Sequence, residues 1–135
     1  MDRSGIDLVW NSEDTGTAES ATAGELSVGG REGWNAEELL SVAIQADLMS
    51  RFLGFAEERK LTVLGYVSAV NLVTPNAPDN QFEVMLRPCV VLADPGDEPA
   101  ARELMDAARK ESPVCNSLTR VHLESTFVIG REERR

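Results

Sequence analysis

The sequence predicts an α+β fold with a largely antiparallel sheet, and three observations carry that reading. Apolar residues alternate in separated stretches: Ile6, Leu8 and Trp10, then Phe82, Val84, Leu86, Val90 and Leu92, then Val121, Leu123, Phe127 and Ile129. Between the first two lies a long apolar run, Leu39 to Ala56, of helical rather than strand length. The resulting order is strands, long helix, hairpin, helices, strand. One domain over residues 1–135 is the expectation, because 135 residues suit one core.

Residues 1–33 read as weak strands and a loop. Ile6, Leu8 and Trp10 form the first strand, and the Ser-, Thr- and Gly-rich stretch after it ends in Gly29-Gly30-Arg31-Glu32-Gly33. This third is too poor in large aliphatic residues to form a core alone, so it must lean on later elements or on a second chain. Asn35 then caps a helix over 35–59, with Glu37 and Glu38 favourably placed in its first turn. Apolar nearly all round, this helix should be covered on several sides. Asp47 and Arg51 near its middle, with Ser41, Gln45 and Ser50, argue against a membrane span.

Residues 62–93 read as a β-hairpin turning at Asn76-Ala77-Pro78-Asp79-Asn80. Pro88, which lacks an N–H, suggests that its strand is at an edge or bulged. Helices follow over 98–118, with Pro99 suited to a first turn and Ser112-Pro113 restarting the helix as N-cap and N1. The final strand covers 120–129, and Arg131 to Arg135 form a solvated tail.

Composition narrows the chemistry. Thirteen Lys+Arg against 23 Asp+Glu give a formal charge of −10, which repels nucleic acid and anionic membranes. Two cysteines, Cys89 and Cys115, and one histidine, His122, are too few for a disulfide framework or a many-ligand metal site. No cofactor is expected. The first residues show no apolar signal segment, so cytoplasm with free thiols is the expected compartment. His122 falls on the polar face of its strand, an ordinary exposed histidine, and the glycine loop matches no phosphate-binding spacing.

Two places keep chemical interest. Asp47 lies among Ala43, Ile44, Ala46 and Leu48, where a carboxylate must pair, ionise with difficulty or face a cavity. It is either the partner of Arg51 four residues on or a functional acid. Cys115, near the start of a short helix, is a candidate reactive thiol.

Asn35-Ala36-Glu37-Glu38-Leu39-Leu40 resembles the Asn-Pro-Glu-Glu-Leu-Leu signature of the osmotically induced protein C and organic hydroperoxide resistance family, OsmC/Ohr. Ser112-Pro113-Val114-Cys115-Asn116-Ser117-Leu118 resembles that family's Cys-Pro-(Val/Tyr)-Ser-Asn-Ala-Leu motif. The resemblance implies an OsmC-like fold, an intertwined homodimer, and an oxidative-stress peroxidase in which one cysteine attacks an organic hydroperoxide and a second resolves it as a disulfide. The first cysteine's position, twelve residues after the motif's asparagine, holds Asp47; the second's holds Ser112. The family's helix-start glutamate carries over to Glu37. Arg31 is the nearest basic residue to the place of the family's arginine, shifted from it. Glu37 and Asp47 lie about 15 Å apart along one helix axis, so a shared pocket would need Glu37 from a second subunit.

Three functions follow. An aspartate cannot cycle through sulfenic acid, so the first is a family member without peroxidase activity, binding a small apolar ligand or merely pairing Asp47 with an arginine. The second is a one-cysteine peroxidase reducing organic hydroperoxides through Cys115 with Glu37 and Arg31. The third is hydrolytic or acid–base catalysis by Asp47 with Ser112.

Overall fold

A computed structural model describes residues 5–73, 81–118 and 120–131. They fall into two compact units, residues 1–40 and 41–135, divided near the start of the long helix. The hairpin turn expected at Asn76–Asn80 and the end of the tail lie outside the described residues.

In the first unit β1 (Ile6–Ser12), β2 (Thr15–Ser20) and β3 (Gly24–Val28) form an antiparallel meander. Ile6, Leu8 and Trp10 share one face, as period-two alternation requires, and are between 63 and 72 % exposed. The chain leaves β3 through the glycine loop. Gly29 takes φ +76, where a side chain would collide with the Asp14 carbonyl, so glycine is required there. Trp34 N–H donates to Ser27 O and Gly29 N–H to Trp34 O, which closes the loop. Asn35 then caps α1 (Ala36–Glu58) reciprocally. Its Oδ1 accepts from Glu38 N–H at 2.8 Å, while Glu38 Oε1 accepts from Asn35 N–H at 2.9 Å.

The second unit holds most of α1, then β4 (Val63–Val73), β5 (Glu83–Leu92), a one-turn 3₁₀ helix (Pro95–Asp97), α2 (Glu98–Glu111), α3 (Pro113–Asn116), β6 (Arg120–Leu123) and β7 (Thr126–Ile129). β4 and β5 are antiparallel, as the hairpin requires. Where one final strand was expected there are two, β6 and β7, and both run parallel to β5. The parallel direction follows from connectivity, since the chain returns to the sheet through α2 and α3. The sheet is therefore mixed.

Pro88 explains the split. It sits in the central strand, not at an edge, and β5 pairs on both sides. Glu83–Leu86 align with Arg120–Leu123, Cys89–Leu92 with Thr126–Ile129, and pairing lapses between them, opposite Arg87 and Pro88. A proline nitrogen has no proton for a ladder, and the lapse accommodates it.

One face of this sheet is the core. Val84, Leu86, Val90 and Leu92 of β5 are wholly buried, alternating with outward residues. α1 contributes Ile44, Leu48, Phe52 and Ala56, and α2 contributes Ala101, Leu104, Met105 and Ala108. The α1 set recurs every four residues and the α2 set at three- and four-residue spacing. α1 meets β4 through the Phe52 and Tyr66 rings, centroids 6.0 Å apart, and through Ser68 Oγ donating to Gln45 Oε1. α2 meets the far edge, where the Arg102 guanidinium lies 4.9 Å over Phe127. Within one chain a single stripe of α1 is buried, while Val42 is 45 % and Met49 36 % exposed. The helix is apolar beyond what one sheet can cover, and by length and composition alone it would also suit a membrane.

Candidate functional site

The second unit gathers a polar cluster where α1 passes the junction of α2 and α3. Asp47 lies beside the buried stripe of α1 and keeps 23 % of its side chain exposed. Arg51, one turn on, faces it side-on, with Nε 3.3 Å from Oδ1 and 3.2 Å from Oδ2. The pairing anticipated from their four-residue spacing is therefore present.

Ser112 comes to the same carboxylate from 65 residues away. Its extended backbone, φ −76 and ψ 113, ends α2 and begins α3, which is the geometry of an N-cap followed by proline. Its Oγ accepts from Cys115 N–H at 3.1 Å and donates to Asp47 Oδ2 at 2.5 Å. A hydroxyl has one proton and two lone pairs, so this residue caps one helix and binds another at once. Ser112 and Cys115 are both wholly buried.

The electrostatics follow from these bonds. Asp47 is held below the ordinary carboxylate range, chiefly because the Ser112 hydroxyl donates to it. Partial burial opposes this, and the Arg51 bond and charge, with the Val114 N–H, add to it. Asp47 is thus an anion at neutral pH. Tyr66, on the inner side of β4, is pushed up to about 12 by burial and, less, by the nearby Cys115. Its hydroxyl is shut off from solvent and has no hydrogen-bond partner among the described residues.

The cluster is poorly suited to covalent chemistry. A carboxylate stabilised as the anion is a weak base, so it does little to deprotonate a serine whose proton it already accepts. The buried Cys115 thiol has no open face for a substrate. Among the described residues no group of three or more His, Cys, Asp and Glu could hold a metal.

Of the residues anticipated from the sequence, Asp47, Ser112 and Cys115 are brought together. Glu37 and Arg31 fall in the other unit. Glu37 is exposed in the first turn of α1. Arg31 lines an open cavity of about 360 Å³ along the glycine loop, with Asn11, Thr15 and Ser27. His122 faces Glu83 across β6 and β5 at 3.6 Å, both about half exposed. Sequence reasoning missed Tyr66; its one available signal was an aromatic with a polar end in a strand that turns one face to the core.

The elements and their order define the OsmC-like fold. A structure of an OsmC-like protein of unknown function from Vibrio cholerae O1 biovar eltor superposes with a TM-score of 0.81, at 16 % identity over 93 % of this chain and 99 % of that one. An OsmC-like protein from Mycoplasma pneumoniae matches with a TM-score of 0.76, at 19 % identity over 94 % and 98 %. The organic hydroperoxide resistance protein OhrB of Bacillus subtilis matches with a TM-score of 0.60, at 18 % identity over 93 % and 98 %. No protein-family model matches the chain, and neither does any curated protein.

Proposed function

We propose that this chain is a cytoplasmic OsmC/Ohr-type protein without thiol peroxidase activity. It works as a homodimer and binds a small, largely apolar ligand. The carrying observation is the bond between Ser112 Oγ and Asp47 Oδ2 at 2.5 Å. These residues stand where the sequence motifs place the family's two cysteines, and a hydroxyl and a carboxylate meeting there leave no sulfur to oxidise. Several solved structures of the same fold are of organic hydroperoxide resistance proteins. Here the shape is kept and the redox pair is not.

The second copy is invoked because apolar surface is left open in each unit. Ile6, Leu8, Val9 and Trp10 are at least half exposed, and Val42 on α1 is 45 % exposed. Surface of this kind marks an interface when it is contiguous, and the three residues on one face of β1 are. The competing reading, peroxide reduction through Cys115, loses ground because that thiol is wholly buried and lies within a packed helix turn.

The test compares wild type with the double variant Asp47→Cys, Ser112→Cys. Each is given cumene hydroperoxide and a dithiol reductant, with heat-inactivated protein as baseline. Wild type should match the baseline, and the double variant should gain dithiol-dependent consumption. Wild-type turnover abolished by Cys115→Ser would replace this reading with the competing one.

A further inference from the structure

Asp47 and Ser112 at the centre of the cluster are both hydrogen-bonded within it. Asp47 accepts from Ser112 and Arg51, and the Ser112 hydroxyl both donates and accepts. The Tyr66 hydroxyl stands apart. It is out of solvent contact, and no described residue offers it an acceptor. Its ring lies against Phe52, 6.0 Å between centroids, and its register partner on β5 is the wholly buried Val90. Cys115 is close enough to influence it electrostatically. A phenol kept in such surroundings without a partner forfeits the hydrogen bond it makes in water, and folded chains rarely accept that loss without a use for the group. The residue as a whole is only partly buried, although its hydroxyl is not exposed.

We propose that Tyr66 is the polar anchor of the ligand site, donating its hydroxyl proton to an acceptor oxygen of a neutral, largely apolar molecule. Phe52 and the buried aliphatic side chains around it accept the apolar part. A neutral oxygen, such as a ketone, ester or ether, fits better than a carboxylate, because a charge is costly in apolar surroundings and the chain carries a net charge of −10. With its ordinary proton loss pushed upward, Tyr66 remains a donor throughout the neutral range. This inference rests on the ligand-binding part of the proposed function.

The test exploits Tyr66 being the chain's single tyrosine. Incorporating 3-fluorotyrosine into the full chain gives one fluorine resonance that reports on this hydroxyl alone. Titration with 2-decanone should shift that resonance saturably, whereas n-decane, equally apolar but without an acceptor, should not. By calorimetry Tyr66→Phe should bind 2-decanone about tenfold more weakly, the loss of one buried hydrogen bond. The same variant should unfold at an equal or higher temperature than wild type, because it removes an unpaired hydroxyl. An unmoved resonance, equal affinities in the two proteins, or a lowered unfolding temperature for Tyr66→Phe would each overturn the proposal. None of these outcomes depends on peroxide reduction, so the two readings fail separately.

Discussion

Ser112→Ala is the substitution that probes the cluster most sharply. Alanine keeps the backbone and leaves little cavity, so its effect is confined to the hydroxyl. Two interactions are lost: a buried hydrogen bond to an ionised carboxylate, about 1.5–3 kcal/mol, and the N-cap of α3, about 1 kcal/mol. Shared geometry makes these less than additive, so about 3 kcal/mol is expected in all. For a chain of this size that lowers the unfolding midpoint by roughly 10 °C. Urea unfolding followed by far-ultraviolet circular dichroism, at one fixed protein concentration, would read it as a shifted midpoint with an unchanged slope. A double-mutant cycle with Asp47→Asn isolates the pair and should return a coupling of about 1–2 kcal/mol. If Ser112→Ala costs under about 0.5 kcal/mol, like an ordinary surface change, the bond contributes nothing and the reasoning is refuted.

Acid should weaken the same bond. Because the folded state holds Asp47 below its unfolded proton affinity, the stability it supplies is complete above the unfolded value near pH 4 and is lost as pH falls below it. Asp47→Asn should flatten that part of the stability profile; an unchanged profile would show that other carboxylates set it. Cysteine labelling of the native protein with a chromogenic disulfide should modify Cys89 first, with Cys115 reacting only on unfolding, and prompt modification of both would contradict the burial. Leu8→Glu should shift the protein toward monomer in sedimentation velocity, and an unaltered distribution would remove β1 from the interface.

Local chemistry made much of this legible in advance. The Asn35 and Glu38 cap, the Ser112-Pro113 helix start and the Asp47 and Arg51 pair each join residues no more than four apart, and short-range rules cover them. The meeting of Asp47 with Ser112 has no local signal at all. It spans 65 residues and could be foreseen only through the family resemblance, with Ser112 opening one motif and Asp47 counted twelve residues on from the asparagine of the other. The splitting of the last strand was hidden for a different reason. Val121, Leu123, Phe127 and Ile129 keep the same alternating phase, and the cause of the lapse is a proline on the neighbouring strand. Tyr66 shows the same limit: alternation assigns it to the inner face of β4 but is silent on whether an acceptor stands opposite. Likewise the apolar character of α1 foretold burial on more sides than one chain supplies.

The central claim is that a hydrogen bond now occupies the place of a redox pair, and it is tested most directly by the rate at which wild-type protein consumes an organic hydroperoxide in the presence of excess dithiol. The account predicts a rate equal to that of the heat-inactivated control from mildly acidic to mildly alkaline pH. A saturable rate proportional to protein concentration would contradict it.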